Sequence, residues 1–263
     1  MHTSPNLIHS FHYYGLLKQR RKMGFVNFLK KTRNTVLSQN PSALHLTNRF
    51  YSGTAYALVQ KVKYYTQTYI SGLVLDAGAG RGGWKELILQ IAEKRESLDI
   101  KAYDQDGTDW VADLTNMPDV PSQRFDAIVC NQVLEHVKEP QAAINELYRV
   151  LKSDGNILIS VPHLSRLHEL PHDYFRFTPN GLEYLLESAG FNVIKVDTYG
   201  GVFTFLHHQF STIFLGILSL SKPTYYAGVI LNLPLSFISY LLDELLDRTN
   251  MMPNGVIIIA SKT

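Results

Sequence analysis

Residues 74–83 combine a carboxylate with closely spaced glycines at the end of an apolar run. Asp76 follows the run, and Gly78, Gly80 and Gly83 come soon after it. Glycines let the backbone approach a ligand closely, and the first amide groups of a following helix have no partners within that helix. The pattern therefore predicts a loop that binds a nucleotide cofactor.

Asp76 indicates which cofactor this loop binds. The glycines match the G-x-G-x-x-G spacing of dinucleotide-binding loops, so the glycines alone are weak evidence. A carboxylate just before the loop can accept hydrogen bonds from a ligand ammonium group, which S-adenosylmethionine carries and a dinucleotide lacks. The alternative interpretation is that Asp76 is a turn residue at the end of a strand. We favour S-adenosylmethionine.

Apolar runs and helical spacings alternate along the chain around this loop. Strands are predicted at residues 73–76, 100–104, 125–130, 157–161, 191–196 and 256–260, with a third strand near 110–113 that is vestigial or follows a truncated crossover. Helices are predicted at residues 55–69 and 84–95, from Pro140 onward, and from Thr178-Pro179 to a stop at Gly190. This alternation predicts a three-layer α/β fold with a mostly parallel, seven-stranded sheet.

Several short segments occur in an order that is specific, although each is modest alone. They are VLDAGAG at 74–80, Asp104, ADL at 112–114, FDAIVCN at 125–131, VLEHV at 133–137 and YRVLK at 148–152 before Gly155. In this order the chain resembles class I S-adenosylmethionine-dependent methyltransferases of the type 11 group. The resemblance covers about residues 73–161 and, more weakly, 162–196. It implies a Rossmann-like methyltransferase fold.

The resemblance also implies which residues hold the cofactor. They are Asp76, Ala77, Gly78, Ala79 and Gly80 for the methionine part, Asp104 with Gln105 for the ribose, Asp113 and Leu114 for the adenine, and Asn131 near the sulfonium. A carboxylate can accept hydrogen bonds from both ribose hydroxyls, which agrees with the role of Asp104. Asp106 is a rival for that role, and simple solvation of a loop is the other alternative.

A loop after the fifth strand gathers histidine, acidic and arginine side chains within residues 162–178. Open α/β sheets bind ligands at the carboxyl ends of their strands, and an unperturbed histidine, with a pKa of about 6.5, can act as a base toward a hydroxyl. The catalytic candidates are His163, His172, Asp173 as the group that orients His172, and His136. The alternatives are a rigid loop in which Asp173 and Arg176 pair, and a zinc site made by His163, His168 and His172.

The pair Glu135-His136 does not by itself predict a metal site. It resembles a stretch of ubiquinone-pathway O-methyltransferases, in which a second acid precedes the pair by three residues. Gln132 occupies that position here, and an amide is not among the usual zinc ligands. We therefore predict no metal ion and a partly structural role for the pair, with contact to substrate or proton as the alternative.

Charge is distributed unevenly, although the formal net charge is only +2. No Asp or Glu precedes Asp76, whereas the same stretch holds ten Lys and Arg residues. From Thr198 to Leu242 the only formally charged residue is Lys222. These shifts predict a basic N-terminal arm at residues 1–54, a methyltransferase domain at 55–199 and 254–263, and an apolar helical insertion at 200–253, between the last two strands.

The insertion has two interpretations, a helical cap packed on the domain or a helical pair at a membrane surface. Polar residues interrupt its apolar runs, whereas a full span requires roughly 20 mostly apolar residues, so an interfacial hairpin fits better than two spans. The basic arm is either a solvated arm or an aid to membrane binding, since each Lys or Arg near an anionic surface contributes about 1 kcal/mol.

These features predict methylation of an oxygen on a small-molecule, sugar or lipid-linked acceptor. The single cysteine, Cys130, excludes a disulfide framework, and we predict a cytoplasmic protein that is peripheral at the membrane. The alternatives are a non-catalytic, cofactor-binding membrane adaptor and an NAD-dependent oxidoreductase. No nucleic acid partner is expected, because residues 131–134 lack the Asn-Pro-Pro-aromatic pattern of amino-directed base methyltransferases.

Overall fold

The structure of the chain is a computed structural model that describes residues 52–103, 107–218, 221–247 and 249–263. Nearly all of the predicted basic arm lies outside the described residues. Asp104, Gln105 and Asp106 also lie outside them. The roles predicted for these residues therefore stay predictions.

Seven strands and six helices, numbered here in chain order, make up the described fold. The strands are β1 (Leu73–Ala77), β2 (Lys94–Asp99), β3 (Trp110–Val111), β4 (Phe125–Asn131), β5 (Leu151–Pro162), β6 (Phe191–Tyr199) and β7 (Gly255–Lys262). The helices are α1 (Gly53–Tyr69), α2 (Lys85–Leu89), α3 (Pro140–Val150), α4 (Pro179–Ser188), α5 (Val202–Leu218) and α6 (Lys222–Leu246). A 3-10 turn spans Leu134–His136.

The strands form one mixed sheet in the order β3-β2-β1-β4-β5-β7-β6. Strand β7 runs antiparallel to both of its neighbours, and the other neighbouring pairs are parallel. The strand order reverses between β1 and β4, so the connections that leave these two strands separate and open a crevice at their carboxyl ends. The residues that follow β1 and β4 therefore border the expected ligand site.

Helices cover both faces of the sheet, which gives the three layers that the sequence predicts. On one face, Ile144 of α3 and Leu182 of α4 belong to the same buried cluster as Leu75 of β1. On the other face, Val62 of α1 is buried in one cluster with Val74 of β1. Val74 and Leu75 point to opposite faces because side chains alternate along a strand.

The second strand lies earlier in the chain than predicted. The strand predicted at 100–104 is wrong, since β2 spans Lys94–Asp99. The helix predicted at 84–95 is present but shorter, since α2 spans Lys85–Leu89. Strand β2 contains buried charges because each has a partner elsewhere: Arg95 pairs with Asp76, and Glu96 pairs with Arg124. These partners are 19 and 28 residues away in the chain, so local hydrophobicity does not reveal them.

The length of β3 and the junction between α3 and β5 can also be compared with the prediction. Strand β3 has only two residues, which confirms the vestigial third strand. Helix α3 ends at Val150 and β5 begins at once, so the turn at 153–155 that we predicted to end the helix lies inside a long strand. Asp154 has a φ of +63° there, which bends the strand before its central, fully paired part.

Helices α5 and α6 occupy the predicted insertion between β6 and β7. Carboxylates of α6 cap the start of α5: Asp243 accepts the backbone N–H groups of Phe203 and Thr204 at 2.7 and 3.0 Å, and Asp247 accepts that of Val202 at 2.9 Å. First-turn amides have no partners within their helix, so these bonds join the two helices at one end.

One helix in the described part of the chain is long and apolar enough to cross a membrane, by length and composition. It is Pro223–Leu246, within α6, and 28% of its most apolar window is buried. Helix α5 is apolar but shorter. A single helix of this kind is weak evidence for a membrane span, because core helices of soluble proteins can have the same composition.

Candidate functional site

A cavity of about 390 Å³ opens where β1, β2, β3 and β4 end. Its lining takes Gly78 from the loop after β1, Asp99 from the end of β2, Asp113 from the segment after β3, and His136 from the turn after β4. Small-molecule sites usually measure about 300–1,000 Å³. The cavity therefore has the location and the size expected of a ligand site in this fold.

The loop after β1 makes a close approach that requires glycine. Gly78 has a φ of +74°, and a Cβ at this position would collide with the side chain of Val133, which also lines the cavity. Gly80 has a φ of +55°, but a Cβ there would meet no atom within 4 Å. Gly78 is therefore required by both conformation and packing, whereas open space lies beside Gly80.

Asp99 is a site residue that sequence reasoning missed. Its Oδ2 accepts the backbone N–H of Gly80 at 2.8 Å, and its side chain lines the cavity. The N–H groups of Gly78 and Ala79 donate to the carbonyl oxygen of Leu98 at 2.8 and 3.0 Å. The glycine loop is thus attached to the end of β2. An acid directly after apolar Leu98 was the available signal, and the misplaced strand concealed it.

Asp76 forms a buried ion pair in the structure. Its Oδ2 accepts hydrogen bonds from Nε and Nη2 of Arg95 at 2.9 and 2.7 Å. Burial raises the pKa of the Asp76 carboxyl group, and Arg95 opposes this rise. Asp76 is not among the residues that line the cavity in the described structure. Its predicted contact with a ligand ammonium group therefore stays a prediction.

The other predicted cofactor residues fall into two groups. Asp113 and Leu114 line the cavity, and Oδ1 of Asp113 accepts the backbone N–H and the hydroxyl of Thr115 at 2.9 and 2.7 Å. Asn131 is buried at the end of β4, where its Oδ1 accepts the Ser160 hydroxyl at 2.9 Å. Of the predicted cofactor residues that the structure describes, Ala77, Ala79, Gly80 and Asn131, like Asp76, are not among those that line the cavity.

Two of the four catalytic candidates reach the cavity, namely His136 and His172. Nδ1 of His136 lies 2.7 Å from the carbonyl oxygen of His172. Nδ1 of His172 lies 3.2 Å from the hydroxyl of Tyr174, which also lines the cavity. The His172 side chain is exposed, and its Nε2 has no hydrogen-bond partner among the described residues. This nitrogen is therefore accessible to a ligand.

Asp173 does not orient His172, so that part of the prediction is wrong. Its carboxylate accepts two hydrogen bonds from Arg176, at 2.6 and 2.8 Å, and a third from the backbone N–H of His168 at 2.8 Å. These donors lower the pKa of Asp173 to about 2, with Arg176 as the largest cause. Neighbouring side chains on the loop diverge, and the structure contains the Asp173–Arg176 pair of the alternative interpretation.

His163 serves the fold rather than the cavity in the described structure. Its backbone N–H donates to the carbonyl oxygen of Asn254 at 2.8 Å, which connects the end of β5 to the segment before β7. Its ring nitrogen Nδ1 is buried without a hydrogen-bond partner. The structure groups His168 with Glu135 and His136, and not with His163 and His172 as in the zinc alternative.

A buried carboxylate lies between two imidazole rings beside the cavity. Glu135 is 0% exposed, and neither of its carboxylate oxygens has a hydrogen-bond partner among the described residues. Nε2 of His136 and Nε2 of His168 lie 3.7 and 3.8 Å from Oε1 of Glu135. Glu135 is the largest cause of a raised pKa at His168, and Asp173 adds to the rise.

A second cavity, of about 420 Å³, lies between α1, the end of β6 and α6. Three of its four acidic side chains have donors within the protein. Asp197 accepts hydrogen bonds from Lys61 and Tyr65, each at 2.6 Å. Asp243 and Asp247 cap α5 as described above. None of the described residues of the glycine loop lines this cavity, so the cavity at the strand ends is the candidate site.

Comparisons with known proteins identify a methyltransferase domain in the chain. A family model described as a methyltransferase domain matches residues 55–196, more than half of the chain. A probable S-adenosylmethionine-dependent methyltransferase from Mycolicibacterium smegmatis is 31% identical over 144 residues, which are 48% of this chain and 54% of that protein. A ubiquinone biosynthesis O-methyltransferase from Alkalilimnicola ehrlichii is 32% identical over 125 residues, 44% of this chain and 45% of that protein. The chain spans about half the length of these curated relatives.

Solved structures share the fold at low sequence identity. A SAM-dependent methyltransferase from Archaeoglobus fulgidus has a TM-score of 0.50 at 20% identity, covering 77% of this chain and 94% of that one. The [4+2]-cyclase SpnF has a TM-score of 0.51 at 18% identity, covering 79% of this chain and 82% of that one. At such identities the likeness concerns the fold alone, and a cyclase among the neighbours means that the fold does not decide the reaction.

Proposed function

The chain belongs to the class I S-adenosylmethionine-dependent methyltransferase family, and we propose that it transfers a methyl group to a hydroxyl oxygen of a small-molecule, sugar or lipid-linked acceptor. One observation carries the proposal: a single cavity is lined by Gly78 of the glycine loop, by Asp99 and by two histidines, His136 and His172. The relative named a ubiquinone biosynthesis O-methyltransferase supports oxygen as the methylated atom.

The loop side of the cavity fits S-adenosylmethionine. Open space beside Gly80 admits a ligand close to the backbone. Each carboxylate oxygen of Asp99 can accept two hydrogen bonds, so the bonds from the backbone N–H groups of Gly80 to Oδ2 and of Lys101 to Oδ1 leave capacity for two ribose hydroxyls. Asp113 and Leu114 offer a polar and an apolar contact for adenine. When bound, S-adenosylmethionine supplies a methyl group on a positively charged sulfur. An acceptor lone pair would attack the methyl carbon in line with the carbon–sulfur bond, and the sulfur would leave as a neutral thioether.

The part of the cavity lining formed by His172 and Tyr174 is suited to an acceptor hydroxyl. His172 has an accessible Nε2, and the hydroxyl of Tyr174 lies 3.2 Å from its Nδ1. The contact with Tyr174 permits two tautomers of a neutral imidazole. If Nδ1 accepts the hydrogen bond from the Tyr174 hydroxyl, the ring hydrogen is on Nε2. If Nδ1 instead donates its hydrogen to the Tyr174 oxygen, Nε2 is free to accept a proton. In the second arrangement His172 can remove a proton from the acceptor, and we assign it the role of general base.

Alignment of donor and acceptor is expected to contribute more to the rate enhancement than general-base catalysis. The methyl donor is already activated by its charge, and holding donor and acceptor in line is worth about 7–11 kcal/mol. A base near the acceptor adds roughly 10²–10⁴-fold. The rigid loop held by Asp173 and Arg176 supports alignment, because it fixes the backbone on which His172 lies.

We also propose that helices α5 and α6 contact a membrane surface from the cytoplasmic side. On α5 the exposed residues Leu206, Phe210, Ile213 and Ile217 recur at helical spacing, so they form one apolar stripe, while polar Ser211 is buried. On α6 the buried residues include Asn232, Ser236 and Ser239, while Leu231, Leu235 and Ile238 are exposed. Water-soluble helices have the opposite arrangement.

This inverted polarity favours lipid as the partner of the helical pair. An exposed apolar patch of this kind is characteristic of protein or membrane interaction sites, and an apolar hairpin fits the interfacial region of a bilayer. The basic arm predicted from the sequence would add attraction to anionic headgroups. A membrane location would bring lipid-linked acceptors to the chain, whereas a cap over the domain would not require lipid.

Three alternatives remain distinct in their chemistry. An NAD-dependent oxidoreductase would bind a dinucleotide in the same cavity. A non-catalytic adaptor would bind S-adenosylmethionine and membranes without turnover. A nucleic acid methyltransferase would bind RNA or DNA with strong salt dependence, which we do not expect.

Incubation of the purified chain with methyl-labelled S-adenosylmethionine and a host extract tests the proposal. The extract is separated into lipid and aqueous fractions, and mass spectrometry identifies the molecule that gains a methyl group. We expect label on an oxygen atom, and we expect the lipid fraction to carry it. Binding of the cofactor without label transfer would support the adaptor. Label only on short soluble acceptors, unchanged by vesicles, would contradict the lipid part.

A further inference from the structure

We propose that Glu135, His136 and His168 bind one divalent transition-metal ion beside the cavity. The proposal concerns ion binding and does not depend on the proposed methyl transfer. It differs from the sequence prediction of no metal site. His168 comes from a loop whose position relative to Glu135 becomes visible only in the fold.

The three side chains converge from two separate segments. Glu135 and His136 lie in the 3-10 turn after β4, and His168 lies in the loop after β5. The loop is held against the turn, because the N–H groups of Tyr174 and Phe175 donate to the carbonyl oxygen of Glu135 at 2.9 and 3.2 Å. One ligand atom of each of the three side chains lies within 4.8 Å of the other two.

The geometry of His136 and Glu135 leaves a place for a cation between them. Nδ1 of His136 lies 2.7 Å from the carbonyl oxygen of His172, and a carbonyl oxygen can only accept, so Nδ1 carries a hydrogen. Nε2, on the other side of the ring, lies 3.7 Å from Oε1 of Glu135, and neither oxygen of this buried carboxylate has a hydrogen-bond partner among the described residues. A buried carboxylate without donors is costly unless a positive charge lies beside it.

His168 has the support that metal-binding histidines usually have. Its Nε2 lies 3.8 Å from Oε1 of Glu135, and its Nδ1, on the other side of the ring, lies 3.4 Å from the carbonyl oxygen of Arg166 and 3.6 Å from Oδ2 of Asp173. The backbone N–H of His168 also donates to Oδ2 of Asp173 at 2.8 Å, which holds the residue in place. An oxygen acceptor behind the outer nitrogen orients an imidazole and strengthens it as a ligand. Arg176 lies 3.3 Å from the same Nδ1 but donates two hydrogen bonds to Asp173.

The ligand set suits zinc or a similar first-row ion. Two imidazoles and one carboxylate are typical of catalytic zinc sites, in which a fourth position stays open. Zinc–ligand bonds of about 2.0–2.1 Å place tetrahedral ligands about 3.3–3.4 Å apart. The two Glu135–histidine separations here are 3.7 and 3.8 Å, and all three ligand atoms lie within 4.8 Å of one another, so the side chains would move together on binding an ion. His136 also lines the cavity, so a bound ion would lie beside the proposed acceptor position.

Zinc titration of the metal-free chain tests the proposal. The full chain is treated with a chelator, dialysed and titrated with ZnCl₂ in a calorimeter. We expect one Zn²⁺ per chain, and we expect His168→Ala to weaken binding by about 100-fold or more. The matched control is His172→Ala, which removes a nearby exposed imidazole that is not a ligand and should leave the zinc affinity unchanged.

A second measurement on the unaltered chain does not depend on how the variants fold. Zn²⁺ should shift the imidazole NMR signals of two of the ten histidines, and Co²⁺ should give the visible absorption of a histidine-ligated ion. If Glu135 is neutralised by a protonated imidazole instead, no stoichiometric zinc binding will occur, and the proposal is overturned. Undiminished binding in folded His168→Ala, or shifts at other histidines, also overturns it.

Discussion

Gly80 and Asp99 are joined by a hydrogen bond of 2.8 Å from the backbone N–H to Oδ2, which ties the glycine loop to the end of β2. The bond places a carboxylate at the border between the loop and the cavity. It also gives Asp99 two functions, since the same side chain fixes the loop and can accept hydrogen bonds from a ligand.

Asp99→Asn should weaken the binding of S-adenosylhomocysteine by about 10–100-fold. The variant keeps an oxygen that can accept from Gly80, but it removes the charge, and hydrogen bonds to charged groups contribute about 1.5–3 kcal/mol. Calorimetry measures the affinity. Asp119→Asn, at an exposed position, is the matched control and should bind as the unaltered chain does.

The variant Asp104→Asn distinguishes the two candidates for the ribose contact, Asp104 and Asp99. The sequence assigns the ribose contact to Asp104, whereas the structure presents Asp99 at the end of β2. We expect Asp104→Asn to retain most of the affinity. A large loss in Asp104→Asn with normal binding in Asp99→Asn would show that the ribose contact is not made by Asp99.

His172→Ala should lower kcat by about 10²–10⁴-fold and leave the affinity for S-adenosylhomocysteine unchanged. The reason is that His172 lines the cavity but is assigned to the acceptor hydroxyl and not to the cofactor. Single-turnover methyl transfer measures the chemical step separately from product release. His163→Ala is a comparison at the other histidine candidate, which does not line the cavity in the described structure. A normal rate in His172→Ala would remove its role as the base.

Glu96→Gln should reduce the stability of the fold at neutral pH but have little effect in strong acid. Glu96 accepts hydrogen bonds from Arg124, Lys94 and Trp110, and these donors lower its pKa from 4.5 to about 2. The unfolded chain therefore binds a proton at Glu96 more readily. The contribution is complete above about pH 5 and is lost as the pH falls from about 4.5 toward 2.

Urea unfolding at several pH values measures this effect. The free energy of unfolding should be lower in Glu96→Gln than in the unaltered chain by about 2–3 kcal/mol at pH 6, and the difference should nearly vanish near pH 2. Glu86→Gln, at an exposed position on α2, is the control and should show little difference at any pH. A difference in Glu96→Gln that does not change with pH would contradict the charge-based account.

Ile213→Asp combined with Ile217→Asp should abolish binding of the chain to anionic vesicles. Both residues lie on the apolar stripe of α5, and a charge buried in an apolar region is costly without a partner. Flotation with vesicles that contain phosphatidylserine measures binding. Tyr184→Asp changes an exposed large residue of α4, outside the stripe, and should bind normally. Equal flotation of all three chains would exclude the stripe as a membrane surface.

The parts of the fold that depend on local pattern were predictable from the sequence. Continuous apolar runs identified β1 and β4, and Thr178 was recognised as the cap of α4, where its hydroxyl accepts the N–H of Gly181 at 3.1 Å. Strand β2 was not predictable in this way. Its buried charges, Arg95 and Glu96, are tolerated only because of partners that the fold brings from distant parts of the chain.

The residues of the candidate site likewise divide into those that the sequence predicted and those that it did not. Gly78, Asp113, Leu114, His136 and His172 were identified from motifs and line the cavity. Asp99 was missed because its strand was misplaced. The contact between His168 and Glu135 was missed because it depends on how a long loop folds back over the turn after β4, and spacing in the sequence carries no information on that approach.

The central claim is that the cavity at the ends of β1 and β2 binds S-adenosylmethionine, and a calorimetric titration of the full chain tests it most directly. The titration compares S-adenosylmethionine with NAD⁺ under the same conditions. We predict saturable binding of one S-adenosylmethionine per chain and no binding of NAD⁺. Absence of heat with S-adenosylmethionine up to millimolar concentration, or saturable binding of NAD⁺ instead, would contradict the account.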